Sequence, residues 1–583
     1  MRAITLTILL SLLAPPLFAD DFQIIVKGRG GHGAYPHTTI DPIVLSAQII
    51  IAIQTLLPRR INSQIAPIKI TKISGGTKRN IIPPQTIISG KFKKQSRGKL
   101  LLTQRAISKI INSLGRSAGL SFGEMPRLQT TGTTTSQRTH CSIPQKTEQR
   151  RRKPPHSPLS RRKPPRSPLS RRKPLLGQTF GMPLLSCPNK KLEEAIKKHL
   201  PATTKIFKQI HQNPELSFQE KETAKLVAQE LKKLGCQVTT NIGGHGVVAI
   251  MKNGPGKTIM ARADMDALPM QEKTNLPWAS KKHGKNEKGE KVPIMHGCGH
   301  DVHTSCLLGA AKVMASLKDQ WQGTLVLVGQ PAEERGAGAK AMLADGLFNR
   351  FPRPDYIIAQ HCDATLRAGK VGYAKGFYNA TLSSADITLH GESAPLAASN
   401  LILALQKIAA RRLDPTKPCV VTVGRISTKD NGDITLELTI RARETKVWKK
   451  VIQALEQIAK NVALAALIPG EKEPTLWIGP QGAPATINDI PLIDRALPIW
   501  RNIYGKKNVI TGTPSMGGDD FGYFGIQEPK IPVFYWRLGV APPPKPGEKR
   551  GALHSPYFQA QVPEALKSGM TAMSSLLLEL LKP

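Results

Sequence analysis

Between Lys190 and Gln360 the apolar positions change period repeatedly, from the spacing of a helix face to the short runs of buried strands. Lys190–Leu200 and Thr203–Gln212 read as amphipathic helices, and Glu220–Leu234 as a longer one closed by Gly235. Gly246–Met251 and Thr258–Arg262 are short apolar or β-branched runs, His303–Ser316 is helical, Thr324–Gly329 is a strand and Ala337–Leu347 is helical again. Tyr356–Gln360 is a further strand that ends on His361. Strand followed by helix, repeatedly, predicts an α/β fold with a mixed, largely parallel sheet flanked by helices. In such sheets functional groups collect on loops at the carboxyl ends of strands.

A second pattern occurs twice. Residues 21–120 and 386–465 both read β-α-β-β-α. Phe22-Gln23-Ile24-Ile25-Val26-Lys27-Gly28 parallels Asp386-Ile387-Thr388-Leu389-His390-Gly391, and the closing helices are Leu101–Leu114 and Val447–Ala465. Gln54 is followed five residues on by Arg59-Arg60, as Gln406 is by Arg411-Arg412. The copies differ in length: Gly28 to Gln54 is 26 steps (54 − 28), Gly391 to Gln406 only 15 (406 − 391), leaving the second copy eleven residues short. The missing stretch is the polar one, Gly30-Gly31-His32-Gly33-Ala34-Tyr35-Pro36-His37. A second gap removes the counterpart of Asn80-Ile81-Ile82-Pro83.

Composition adds a charge anomaly. The 583 residues, 40% hydrophobic, suffice for two or three domains, and 83 Lys+Arg against 41 Asp+Glu leave +42. Residues 1–180 hold 31 basic and 5 acidic side chains, so the excess lies mainly in the first third. There the sequence RRKPPHSPLS-RRKPPRSPLS-RRKPL repeats every ten residues over 151–175. Prolines remove helix hydrogen bonds and like charges repel, so 126–180 is expected to be a disordered, extended linker. A basic balance also raises nucleic acid or an anionic membrane surface, but no recognisable nucleic-acid module accompanies it, and no specific nucleic-acid partner is expected. Met1-Arg2, the apolar run Ile4–Leu13 and Leu17-Phe18-Ala19 have the form of a signal peptide over 1–19, placing the protein outside the cell or in a periplasm if cleaved and in the cytoplasm otherwise. That run is too short to span a bilayer, and no transmembrane segment follows. Seven cysteines, few and odd in number, do not resemble a disulfide framework.

The chemistry concentrates in His296-Gly297-Cys298-Gly299-His300-Asp301-Val302-His303-Thr304. The glycines let the backbone turn so that a thiolate and an imidazole two residues apart face one point, with Thr304 opening the next helix. Sulfur with imidazole favours zinc or manganese over magnesium. Alone, such a segment is equally well a plain loop. Context favours a metal: the strand through Val326-Leu327-Val328 leads into Glu333-Glu334, and adjacent carboxylates repel unless a positive charge lies beside them. Glu334 can bind an ion while Glu333 accepts a proton from water; an acid-rich helix N-terminus is the plain alternative. His361 closes one strand, and His554 lies in a loop after Gly551. A nucleophilic Cys298 is the competing idea, less favoured because two carboxylates and two further imidazoles converge without it.

Seven ordered motifs carry a resemblance: His211-Gln212-Asn213-Pro214-Glu215-Leu216-Ser217-Phe218, Arg262-Ala263-Asp264-Met265-Asp266-Ala267-Leu268-Pro269, Cys298 with His300, Gln330 to Glu334, Gln360-His361, Pro514-Ser515-Met516-Gly517-Gly518-Asp519-Asp520-Phe521, and His554-Ser555-Pro556. Over about 189–581 the chain resembles the metallopeptidase family of hippurate hydrolase, aminoacylase-like enzymes and plant auxin-conjugate amidohydrolases. The resemblance implies Cys298, His300, Glu334, His361 and His554 as ligands of two divalent ions, Mn2+ or Zn2+, with Cys298 bridging, Glu333 as general base and Asp264 supporting the metal-site histidine. It implies hydrolysis of the amide bond of a small N-acylated amino acid or peptide, and a homodimer. In such enzymes a smaller α+β lid is inserted into the catalytic domain, and two of its loops reach the substrate of a neighbouring subunit.

The expected plan is therefore a signal peptide (1–19), a detached lid-like domain (20–125), a linker (126–180), a catalytic domain in two parts (181–383 and 486–583) and an inserted, truncated lid (384–485). The inserted copy lacks both loops, and its His390 precedes the glycine and does not match the family's histidine. The N-terminal copy keeps both, with His32 and Asn80 in place. Three readings follow. The N-terminal copy docks back through the linker, or across a dimer, to give His32 to the oxyanion and Asn80 to the substrate carboxylate. Or the chain is a rearranged, catalytically impaired metal binder, or a basic binding module carrying a dead hydrolase.

Overall fold

The strand Thr258–Asp264 is buried on both faces, as its unbroken apolar run requires, and the rest of the main sheet is laid against it. It pairs in parallel with Gly323–Gln330 on one side and with Tyr356–Arg367 on the other. The strand order across this eight-stranded sheet is 509–511, 371–373, 533–541, 356–367, 258–264, 323–330, 246–253, 237–242. Its centre is parallel, while 246–253 and 237–242 at one edge, and the 371–373/533–541 pair near the other, run antiparallel. The sheet is thus the mixed α/β sheet expected from the sequence. Helices 190–212, 300–316 and 564–580 cover one face through a core that includes Ile196, Leu307, Trp500 and Met573. A smaller cluster around Met342, Phe521 and Phe524 covers the other.

The computed structural model describes residues 21–60, 68–93, 96–121, 125–131, 190–414, 416–465, 473–479, 482–543 and 551–583. The expected signal peptide and most of the basic linker lie outside these residues. Among the described residues no helix is long and apolar enough to cross a membrane, and Cys236, Cys298, Cys306, Cys362 and Cys419 are all free thiols.

Several boundaries differ from those the sequence suggests. Lys190–Gln212 is one helix with Pro201 inside it, because an apolar stripe through Leu192, Ala195, Ile196, Ile206, Phe207 and Ile210 is buried on both sides of the proline. Packing along that stripe outweighs the hydrogen bond that Pro201 removes. The helix expected from His303 begins at His300, since Gly299 adopts φ 84° and turns the chain directly into it. Ala337–Leu347 divides into 338–344 and 347–350 at Gly346, which has φ 82°. The strand expected to end on His361 continues to Arg367, held by its pairing with 533–541.

The two β-α-β-β-α copies lie side by side in a second eight-stranded sheet, ordered 475–478, 381–389, 434–442, 419–428, 68–75, 85–92, 21–27, 127–131. The first four strands are the inserted copy and the last four the N-terminal one. Arg127–Thr131, which the sequence assigned to the linker, is a strand paired with Asp21–Ile25. Its Leu128 packs onto the shared core, which the Pro- and Arg-rich composition just beyond it obscured. Helices 42–60 and 394–405 pack together, and one hydrophobic core runs through both copies, joining Phe22, Ile50 and Ile88 to Leu401, Leu436 and Leu455.

Candidate active site

Three parallel strands reach the same level at their carboxyl ends, with Gln330 beside Asp264 and Ala359 beside Arg262. At that level the helix 300–316 begins. Gly299 is indispensable to this entry: besides its positive φ, a Cβ there would stand 2.7 Å from Cys362 Sγ. Two further residues at the same place hold left-handed backbone without being glycine, Ala332 (φ 49°) just before the paired glutamates and His554 (φ 60°) itself. Strain of this kind persists where surrounding structure over-determines it, often at functional sites.

The side chains that these turns present converge. Cys298 Sγ lies 3.2 Å from His554 Nε2 and 3.5 Å from His361 Nε2. His554 Nε2 is 3.4 Å from Glu334 Oε1, and His300 Nε2 is 3.9 Å from that oxygen and 3.7 Å from Glu333 Oε2. Cys298 belongs to two overlapping groups of candidate ligands, one with His300 and His361 and one with Glu334 and His554; within each group the atoms lie inside 4.8 Å of one another. Among the described residues His300 Nε2 and Glu334 Oε1 are buried without a hydrogen-bond partner, as unfilled ligand atoms would be. The donor set of one thiol, three imidazoles and carboxylates suits divalent metal ions. The residues therefore fit a pair of divalent ions, with Cys298 common to both positions.

The electrostatics lead the same way. Burial, then Asp519 and Glu334, hold the Glu333 carboxyl well above its usual range. Burial would raise Glu334 as well, but His554 and His300 outweigh it and leave it low. Burial and the two glutamates also push the Cys298 thiol far up. A concentration of acids and a thiol in a buried centre is what a divalent cation would relieve.

Asp264 and Asp266 divide the supporting work. Asp264 Oδ1 takes His303 Nδ1 at 2.6 Å, and its other oxygen pairs with Arg262 at 2.8 Å. His303 in turn accepts the Cys362 N–H at 2.8 Å, fixing the strand that carries His361. Asp264 stands 3.7 Å from His300 Nε2. The residue that orients His300 is Asp266, through its carbonyl at 2.8 Å and its Oδ1 at 3.2 Å from Nδ1. Its carboxylate also accepts the Glu333 and Glu334 N–H groups at 3.1 and 3.0 Å and the Ser217 hydroxyl at 2.6 Å. Asp266 stands two residues from Asp264 in the same motif, and the local sequence does not separate their roles. Arg262, fully buried, spans Asp264, Asp519, Asp520 and Gln330 and ties the Pro514–Phe521 loop to the sheet. His390 is held within the inserted lid, where it bonds Asp433 at 2.9 Å and Thr475 at 3.0 Å.

His32 does reach the centre. Its ring centroid is 6.0 Å from that of His554, and Tyr35 Oη bonds Ser515 Oγ at 2.6 Å. The short strand Gly31–His32 pairs with Ile81–Ile82, so Asn80 stands directly beside it, its carbonyl accepting the Gly33 N–H at 2.8 Å. The Ala34 N–H donates to His32 Nδ1 at 3.2 Å, which leaves the proton of a neutral ring on Nε2. Burial, then Arg441 and His554, lower the His32 pKa to about 3, so the ring is neutral. Arg441, from the inserted lid, was not foreseen. The residue is 2% exposed; its guanidinium donates to the Met516 carbonyl at 3.1 Å and leaves Nε without a partner among the described residues. Burial lowers its pKa to about 10, and no carboxylate among the described residues pairs with it.

Comparison with known proteins agrees with this geometry. Residues 260–579 match the model of peptidase family M20/M25/M40, and residues 19–117 match that of the peptidase dimerisation domain. The chain is 40% identical over 338 residues to a hippurate hydrolase of Campylobacter jejuni, covering 55% of this chain and 84% of that one. It is 32% identical over 425 residues to IAA-amino acid hydrolase ILR1-like 4 of Arabidopsis thaliana, covering 67% and 91%. Among solved structures, a dinuclear metal binding peptidase of the M20 family from Bacillus subtilis is 27% identical with a TM-score of 0.54, covering 66% of this chain and 99% of that one. A putative aminohydrolase from methicillin resistant Staphylococcus aureus reaches a TM-score of 0.58 at 28% identity, covering 68% and 100%. The convergent thiol, imidazoles and glutamates, the mixed α/β sheet and these matches together make the chain a member of peptidase family M20/M25/M40, a metal-dependent hydrolase of amides with a two-metal centre.

Proposed function

We propose that the protein hydrolyses N-acyl amino acids, holding the free carboxylate of the amino-acid part on Arg441 and placing the acyl carbonyl between the metal centre and His32. The observation that carries this is Arg441, a buried residue whose guanidinium has no acidic partner among the described residues and whose charge acts on His32. A buried unpaired charge is costly, and a substrate carboxylate at that point compensates it with charge-assisted hydrogen bonds. The names of relatives support the class: a hippurate hydrolase, IAA-amino acid hydrolases and an N-acetyl-L-cysteine deacetylase.

In this reading Cys298, His300, Glu334, His361 and His554 hold two ions, Mn2+ or Zn2+. When bound, such ions acidify water and polarise a carbonyl. Glu333 takes the proton of the attacking water on its carboxylate and delivers it to the leaving amine nitrogen. His32 donates its Nε2–H to the oxygen that gains charge, its tautomer set by the Ala34 N–H. Asn80 lies beside His32 and contributes a second polar contact to the substrate. The test is a panel of N-acyl amino acids and their methyl esters with the full chain loaded with Mn2+ or Zn2+. Free acids are expected to be cleaved, with kcat/KM for the esters lower by about 10- to 100-fold, the value of one charge-assisted contact. Arg441→Ala should abolish that preference. No cleavage of any free acid, or equal rates on acid and ester, would overturn the reading.

A further inference from the structure

The matched dimerisation domain makes its pairing inside the chain. At the centre of the lid sheet, Gly75 of the N-terminal copy faces Ile426 of the inserted one. Thr428 Oγ accepts the Ile73 N–H and donates to the Ile73 carbonyl, each at 2.9 Å, and Thr422 Oγ donates to the Gly33 carbonyl at 2.8 Å. Two glycines permit the close approach. A Cβ on Gly76 (φ 85°) would lie 2.0 Å from the Gly424 carbonyl oxygen, and one on Gly424 would lie 2.2 Å from the Arg79 carbonyl oxygen. Around them Arg79 pairs with Asp386 at 2.9 Å, and Lys69 with Glu392 at 2.9 Å. The loop that this contact supports is the one carrying His32 and Tyr35 to His554 and Ser515.

We infer that the N-terminal domain is a permanently docked lid and that each chain completes its one active centre in cis, with no second copy required. The inserted lid has no loop corresponding to Gly30–His37, so it has nothing equivalent to His32 to offer another chain. Its strand 419–428 is already paired with 68–75, and its helix 394–405 is covered by 42–60. The copies are joined through 58 residues between Thr131 and Lys190 (190 − 131 − 1), and a covalent tether gives an effective concentration well above that of a second chain at micromolar levels. The interface is thus arranged like one between two subunits, but both halves are encoded once.

This inference rests on the proposed role of His32, and its test separates the two. Zero-length carbodiimide coupling of the full-length protein should join Lys69 to Glu392. The coupled peptide is expected in the single-chain band of a denaturing gel. Recovery of that peptide only from a two-chain band, or its absence, would overturn cis docking whether or not the enzyme is active. In a second arm, His32→Ala and Glu333→Ala full-length chains are produced together in one cell. Cis completion predicts no activity above that of either variant alone. Exchange of lids between chains restores on the order of a quarter of wild-type activity, because half of random pairs are mixed and each mixed pair has one intact centre. Wild-type chain that cleaves no N-acyl amino acid defeats the functional proposal and leaves the cross-link to decide the docking.

Discussion

At the scale of single residues, the site separates groups that touch the reaction from groups that hold them in place. Glu333→Gln keeps the shape of the side chain and removes the base, so metal content measured by emission spectrometry should be unchanged while turnover falls by about 10²- to 10⁴-fold. Asp266→Ala should behave oppositely. It releases His300 Nδ1 and the N–H groups of both glutamates, so metal affinity in a chelator competition should drop by about 10- to 100-fold. Equal metal loss in both variants would show that Glu333 is a ligand rather than a base. The Cys298, His300 and Glu333-Glu334 motifs were legible because sulfur, imidazole and paired carboxylates are chemically unusual neighbours. Asp266 was not: its importance lies in which nitrogen and which amides it faces, and Asp264 offers the same chemistry two residues away.

Among elements, the helix 300–316 shows how little sequence separates a ligand loop from a ligand helix. Its first residue is itself a candidate ligand, because Gly299 turns the chain with a positive φ and no side chain to collide with Cys362. Gly299→Ala therefore combines a left-handed alanine, costing about 1–2 kcal/mol, with a steric clash, and should lower the thermal midpoint and weaken metal retention together. A stable variant that retains both ions would show that the entry has slack. Strand and helix order in the catalytic half followed from the periods of the apolar positions. The boundaries did not, since the 190–212 helix survives its proline by burying one face and the 356–367 strand is extended by a neighbour from residues 533–541.

For the whole molecule, stability depends on a buried charge beneath the site. Burial alone would lower His211, but hydrogen bonds to Asp301 at 2.6 Å and Glu272 at 3.2 Å outweigh it and raise its pKa to about 10. A group raised in this way stabilises the fold fully below its unfolded value near 6.5, and that contribution fades as pH climbs towards 10. Denaturation of the wild type and of His211→Asn should accordingly differ most at pH 6 and converge by pH 10. A gap that widens with pH would mean that the ring is neutral in the fold.

The sequence by itself determined the α/β class, the two related lid copies, the loops missing from one of them and the residue types of a metal centre, because each is written in local composition or spacing. Tertiary structure alone decided that the detached copy shares a sheet and a core with the truncated one and brings His32 to His554. That outcome depends on the edge of one strand and on two glycines, Gly76 and Gly424, that let backbones approach. Such relations hold between residues hundreds of positions apart, and no local pattern records which surfaces will meet.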